Sequence, residues 1–402
     1  MPTAIEGAND MRTQVGIIGA GPAGLLLAHL LHLEGIESIV IEDKSRHYIE
    51  NRLRAGLLEQ ESADILVDTG VGERLLRERM LHHGLYIKFK GELHRIDFQD
   101  LVGKSVMIYA QQEVVKDLVA AHLGYGAPIV FEVGDVTLHD VDQQRPGIRY
   151  TEKGEARSIE CDFIAGCDGY HGLSRPSIPA DKRTSFLRDY PFAWLGILAE
   201  APPTKDELVY THHERGFALL TMRTPKLSRL YLQCPRDDDI ASWPDERIWD
   251  ELRIRTAGGE GWKLSEGRIV QKGITDMRSF VVEPMQYGRL FLAGDSAHIV
   301  PPTGAKGMNL AIADVRVLAR ALTAFYKSGR TDLLESYSRT CLRRVWKVQR
   351  FSWWVTQLLH RFEDDNEFDL RRQLADIDYL TSSRAASMTW AENYVGLPME
   401  WD

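Results

Sequence analysis

Long apolar runs are missing from this chain of 402 residues. None approaches the ~20 residues that a membrane helix needs, so no spanning helix is expected. A basic excess is missing too. With a net charge of −9, the chain has no surplus cation for the phosphate contacts of a nucleic-acid binder. Cysteine is scarce, and Cys161, Cys167, Cys234 and Cys341 are spaced too widely for a zinc site or a C-x-x-C pair. They suit buried thiols in a reducing compartment better than a disulfide framework. The opening MPTAIEGAND has neither the basic nor the apolar region of a signal peptide. Residues 1–10 read as a disordered leader, with Met11 as a candidate start and the cytoplasm as the expected address. What remains is an ordinary globular composition, 44% hydrophobic and 27% charged, at a length that usually divides into two or three domains.

The strongest stretch runs from Gln14 to Glu42 and reads as strand, tight turn, helix, turn and strand. Val15, Ile17 and Ile18 suit a strand buried on both faces of a parallel sheet. Gly19-Ala20-Gly21-Pro22-Ala23-Gly24 is G-x-G-x-x-G. Gly19 permits the tight turn, Gly21 the approach of a pyrophosphate, and Gly24 close packing of helix on strand. The helix N-terminus offers free N–H groups to phosphates, and Gly35 suits the helix end. Glu42 falls where a carboxylate accepts from the ribose hydroxyls of an adenine dinucleotide. FAD and NAD fit this pattern equally.

Further along, Arg52 and Arg54 beside Gly56 read equally as a dinucleotide clamp or a solvated basic turn. Leu57 to Arg79 carries helical periodicity, and His82-His83-Gly84 leads into a strand over Leu85 to Lys90. Ile129 to Glu160 reads as a meander, followed by a buried strand ending at Cys167-Asp168-Gly169. From about residue 185 to 285 strands dominate, resembling an antiparallel sheet able to roof an interdomain pocket. Period-two spacing puts Thr221 and Arg223 on one face, near Arg229 and Tyr231. A hydroxyl and a guanidinium there suit a carboxylate, although exposed strand decoration fits the spacing better. The strand Arg289 to Gly294 ends in Gly-Asp and is expected to extend the first sheet; Gly304 and Gly307 bracket a long helix start. The remainder is helical, and its Trp346, Phe351, Trp353 and Trp354 suit core or subunit interface. The apolar tail Asn393 to Pro398 is expected to dock.

G-A-G-P-A-G, C-D-G-Y-H-G-L-S-R and G-D-S-A-H-I-V-P-P-T-G-A-K-G-M-N together resemble the class A FAD-dependent aromatic hydroxylases. R-A-G-L-L-E-Q, F-V-V-E-P-M-Q, F-S-W-W and A-E-N-Y-V-G-L-P add specificity, and the match is close to members acting on 4-hydroxybenzoate. It runs from about Met11 to Pro398. The resemblance implies an α/β fold with a glutathione-reductase-type FAD-binding domain, Rossmann-like, over 11–184 and completed by about 286–310. A β-sheet substrate domain over 185–285 and a helical C-terminal region over 311–402 would follow, with a homodimer as the expected assembly.

The implied reaction reduces FAD with NADH or NADPH, forms a flavin C4a-hydroperoxide from O2, and transfers its hydroxyl to a bound phenolate at C3. Gly19, Gly21, Gly24, Glu42, Arg52, Leu53, Arg54, Ala55, Gly56, Leu57, Gln111, Asp295, Met308 and Asn309 would hold FAD. Thr221, Arg223 and Tyr231 would bind the substrate carboxylate. Tyr210, Tyr394 and the Pro302 carbonyl would meet the phenol, with His82 ending a proton chain near solvent. Arg52, His171 and Arg278 would contact the nicotinamide coenzyme, and no metal is implied. A phenol ionises near ~10, so a positive pocket and a relay are needed to make phenolate near neutrality.

Two positions depart from the family pattern. Thr221 stands where the family has Ser, and its methyl narrows the pocket. Asp43 stands where NADPH-using relatives tend to carry a basic residue, which favours NADH or dual use, although Lys44 and Arg46 lie close enough to reverse this. A hydroxylase of a related phenolic or aminobenzoate acid and a non-catalytic flavin-fold binding protein are the alternatives. An NAD-only dehydrogenase leaves the G-D-S-A-H segment unexplained.

Overall fold

The computed structural model describes residues 10–52 and 54–401. Of the expected leader only Asp10 is described, in a short strand Asp10–Arg12 that pairs with Glu155–Glu160. Leu53, one of the expected cofactor contacts, lies outside the described residues.

Two sheets organise the chain. The first has six strands in the order Gln286–Tyr287, Leu290–Leu292, Phe163–Gly166, Val15–Ile18, Ser38–Glu42 and Ile129–Phe131. All its pairings are parallel except the outermost hairpin. Val15–Ile18 is buried at every position, as a strand covered by helices on both faces must be. The strand that ends in Gly-Asp extends this sheet as expected. Helix Pro22–Leu33 packs on helix Gly307–Ser328 and on helix Gln111–Tyr125.

The second sheet has eight strands in the order His298–Ile299, Arg268–Glu283, Thr184–Glu200, Leu227–Pro235, Ala218–Thr224, Val209–Thr211, Gly84–Phe89 and Glu92–Asp97. It therefore takes two strands from the segment before residue 100. One of its faces buries Ala193, Leu195, Ile197, Leu230 and Leu232 under helix Asp245–Arg255. The other buries Trp194, Tyr210, Phe217 and Leu219 with Tyr394 and Trp390 of the C-terminal helices. This alternation is the period of two that a two-faced strand requires. The aromatic face carries the site.

Local differences from the sequence reading have local causes. The helical stretch expected over Leu57 to Arg79 divides into strand Leu57–Leu58 and helices Gln60–Asp68 and Glu73–Glu78. Gly70 turns the chain at φ +85°, and a Cβ at Gly72 would come within 2.6 Å of the Val67 backbone. Ile129–Phe131 leaves the expected meander and joins the parallel sheet. Helix Asp245–Arg255 and the long strand Arg268–Glu283 were not evident, because charged residues interrupt the apolar period in both. The helical tail breaks at Ser383 into Glu367–Ser382 and Arg384–Val395, with Asn366 and Ser383 as side-chain caps. All four cysteines are free and buried. No helix among the described residues is long and apolar enough to cross a membrane.

Candidate active site

The turn after Val15–Ile18 is held by close backbone packing. Gly19 sits at φ +101°, and a Cβ there would come 2.4 Å from the Cys167 carbonyl. A Cβ on Gly24 would fall 2.0 Å from the Gly19 carbonyl, so the helix rests directly on the turn. Gly21 differs: a Cβ there would meet nothing within 4 Å. The protein leaves that position open at the N-terminus of the Pro22–Leu33 helix, as a pyrophosphate seat needs. Beside Gly19, Asp168 accepts from the Ser174 N–H and hydroxyl through Oδ2, while its buried Oδ1 has no partner among the described residues. The sequence reading used Asp168 only to end a strand.

Glu42 closes the other side. Its carboxylate accepts from the Ala20 N–H at 2.7 Å and the Lys44 N–H at 3.0 Å. Burial, then the hydrogen bond with Asp43, pushes its carboxyl up to about 7. Asp295 lies in the short 3-10 turn Gly294–Ser296, between buried Gly294 and Ser296 and within electrostatic reach of Arg54 and Arg52. The Gln111 N–H donates to the Ala55 carbonyl at 3.3 Å, and Gly56 abuts Ala110, so these expected cofactor residues share one wall. Leu57 begins the strand behind it. Asn309 is buried and spends its amide on Leu57, Ala305 and the Glu59 N–H, which fixes the wall to the start of helix Gly307–Ser328. Met308 packs beside the core there. The glycine cradle and the free acceptor of Asp168 fit a dinucleotide.

The substrate end lies on the aromatic face of the large sheet. Thr221 is buried and stands opposite Arg229 on the neighbouring strand, two residues from Tyr231. A bulge between Met222 and Thr224 frees Arg223 from the ladder, and its guanidinium donates to the carbonyls of Met222 and Arg54. Burial would raise the Tyr231 phenol, but the Arg223 and Arg229 guanidiniums outweigh it and hold the phenol below its ordinary range. Arg229 lies over the Tyr231 ring at 5.0 Å. Two cations, a phenol and a hydroxyl converge. That set suits an anion. Sequence spacing noted Arg229 as polar but gave it no role, because only the fold shows it beneath Tyr231.

Towards the cofactor side, the Tyr210 hydroxyl donates to the Thr303 carbonyl at 2.8 Å and lies 2.9 Å from the Tyr394 hydroxyl. Both tyrosines are almost fully buried, and burial drives both phenols well above their ordinary value. They stay protonated, and so can pass a proton without holding charge. The neighbouring Pro302 carbonyl accepts from the Ala305 N–H. His82 is not near solvent as expected. It is fully buried, neither ring nitrogen has a partner among the described residues, and burial holds its pKa down to about 4. No hydrogen bond joins it to Tyr394.

Lys306 was missed by the sequence reading although it starts the helix. Its buried ammonium donates to Glu59 at 2.7 Å and to the Tyr394 carbonyl at 2.7 Å, and Arg344 bonds the other Glu59 oxygen. This ties the C-terminal tail, docked as expected, to the cofactor wall. Of the expected nicotinamide contacts, His171 meets the Tyr170 ring edge-on at 5.1 Å and Arg278 lies over the same ring at 5.1 Å. Arg52 lies over Tyr48 at 5.7 Å instead.

Comparison with known proteins places the chain in a family. Residues 12–352 match the family described as FAD binding domain. The chain is 49% identical over 391 residues to the p-hydroxybenzoate hydroxylase of Acinetobacter baylyi, covering 97% of this chain and 96% of that one. A probable NADH-specific resorcinol 4-hydroxylase of Rhodococcus jostii is 26% identical over 82% of this chain and 62% of its own. Among solved structures, p-nitrophenol 4-monooxygenase from Pseudomonas putida superposes with a TM-score of 0.81 at 19% identity, covering 97% of this chain and 99% of that one.

Proposed function

This chain belongs to the FAD-binding family that includes p-hydroxybenzoate hydroxylase, and we propose that it hydroxylates 4-hydroxybenzoate at C3 to 3,4-dihydroxybenzoate with NAD(P)H and O2. The observation that carries this reading is the two-ended site on one sheet face. At one end Thr221, Arg223 and Tyr231 offer donors to a carboxylate; at the other, Tyr210 bonds to Tyr394 in a buried core. A para-substituted phenol acid matches both ends at once.

The chemistry that FAD would supply here, held by the glycine turn and the wall around Gly56 and Gln111, is electron transfer from the nicotinamide and activation of oxygen. The chain does the rest. Arg223 and Thr221 fix the carboxylate, which aims the ring. Tyr210 turns its hydroxyl from the Thr303 carbonyl towards Tyr394, passes its own proton on and accepts that of the phenol, giving the electron-rich phenolate that attacks an electrophilic oxygen. The Pro302 carbonyl is proposed to accept from the same phenol, whereas His82, buried with no hydrogen-bond partner among the described residues, is left outside the relay. Gly21, Glu42, Asp295 and the wall from Arg52 to Leu57 with Gln111 are assigned to FAD, and His171, Arg278 and Arg52 to the coenzyme. Asp43 pairs with Lys44 at 2.8 Å and Arg46 with Glu50 at 2.7 Å. Both nearby cations are therefore engaged, which supports NADH or dual use over a strict demand for a 2′-phosphate.

The proposed division assigns 11–184 and about 286–310 to FAD, 185–285 to substrate and 311–402 to an interface region. Trp346 and Trp353 are each more than two-fifths exposed, seven residues apart on helix Asp332–Leu359, which supports a homodimer. A monomer by light scattering would remove that assembly. The Thr221 methyl supports one second reading, a hydroxylase of a related phenol acid.

NADH and NADPH oxidation by the FAD-loaded protein, with and without 4-hydroxybenzoate, tests the reading. Accelerated oxidation with 3,4-dihydroxybenzoate as product is expected. Acceleration without product turns attention to Thr221 and related acids, and no acceleration rejects the substrate.

A further inference from the structure

One row of the large sheet runs across four strands through Leu219, Tyr231, Gly196 and Gly273. Tyr231 and Gly196 are direct partners, and Arg229 stands one step along the same face, opposite Leu198 and Thr221. Arg229 does not extend straight from its strand. Its guanidinium leans diagonally over the Gly196 backbone and lies against the Tyr231 ring, 5.0 Å from the ring centre. A Cβ at position 196 would come 2.5 Å from Arg229 Nη2, 3.2 Å from its Cζ and 3.3 Å from Tyr231 Cε1. At Gly273, the next residue of the same row, a Cβ would meet nothing within 4 Å. Neither glycine has a positive φ, so turn chemistry explains neither, and only one of them is required by space.

We infer that Gly196 is a positioning residue for the carboxylate end of the site: the missing side chain is the seat in which the Arg229 guanidinium lies beside Tyr231. The inference rests on the reading that a substrate carboxylate binds at Thr221, Arg223 and Tyr231. A methyl at 196 presses on the far end of a flexible side chain, so the guanidinium moves and the sheet stays intact. The cost falls on anion recognition, since a cation withdrawn from Tyr231 and the neighbouring Arg223 leaves a less positive pocket.

The test compares binding of 4-hydroxybenzoate with that of its uncharged amide, 4-hydroxybenzamide, to the FAD-loaded enzyme. Wild type is expected to prefer the carboxylate. G196A is expected to lower that preference about tenfold, through weaker carboxylate binding, with the amide little changed; about 1.4 kcal/mol corresponds to that factor. G273A is expected to match wild type. Adding G196A to R229A is expected to change the preference no further, because the group it displaces is already gone. Should G196A alone fail to fold, the double variant must fold. Equal losses for both ligands, an unchanged preference in G196A, an effect as large in G273A, or an unfolded double variant each overturn the inference. A wild-type enzyme with no carboxylate preference overturns the carboxylate reading, and the inference with it.

Discussion

At the cofactor end the groups that matter are mostly backbone: an open helix N-terminus, a carbonyl against Gly24, and N–H groups donated to Glu42. At the substrate end they are side chains from distant segments. Thr221, Arg223 and Tyr231 come from two neighbouring strands, Tyr210 from a third, and Tyr394 from the last helix. A backbone site must be compact in sequence because consecutive residues build the turn. A side-chain site needs only a face, and a sheet supplies that face from residues that are far apart in the chain. The two ends should therefore fail differently under substitution.

Arg223→Ala should give the largest effect. Removing a half-buried cation from an anion pocket is expected to cost about 2–5 kcal/mol of 4-hydroxybenzoate affinity, with FAD still bound; titration of flavin absorbance against substrate measures both. Tyr210→Phe comes next. Loss of the relay hydroxyl should cut hydroxylation roughly a hundredfold while NAD(P)H oxidation continues, so product per coenzyme oxidised falls. Unchanged coupling would take Tyr210 out of the relay. Gly24→Ala should act on the other end alone, costing about 1–3 kcal/mol in stability through the clash with the turn and weakening FAD retention. If it impaired substrate affinity in protein that kept its flavin, the separation of the ends would be wrong.

The smallest effects are in pH dependence, and their signs are opposite. Burial depresses His82 to about 4, so its contribution to stability is complete above about 6.5 and is lost as pH falls through about 4. Glu42 is raised to about 7, so its contribution is present below about 4.5 and is lost as pH rises through about 7. Melting curves of the flavin-free protein should show a shallower acid slope in His82→Asn and a shallower slope towards neutrality in Glu42→Gln, each by about 2 kcal/mol or less.

The same contrast explains what could be read in advance. The strand, turn and helix from Gln14 to Glu42 were legible because glycine positions, apolar run and acid share one short segment. Thr221 and Arg223 were visible only as a period-two pair, and a solvated strand fits such a pair as well; the resemblance to known hydroxylases, rather than spacing, gave them a role. The bulge that turns Arg223 inward leaves no mark in a sequence. Nor does the seat under Arg229, because a glycine needed for space looks like Gly273, which is not. Lys306 was passed over because one lysine at a helix start gives no hint that Glu59, almost 250 residues earlier, waits beneath it.

The central claim is that this site ionises a phenol beside a buried tyrosine pair. The direct measurement is a pH titration of the ultraviolet absorbance of 4-hydroxybenzoate bound to the FAD-loaded enzyme, in wild type and in Tyr210→Phe. The account predicts phenolate in wild type at least about one unit below the ~10 of a free phenol, with the variant moved back towards it. A bound phenol that titrates like the free ligand in both proteins would contradict it.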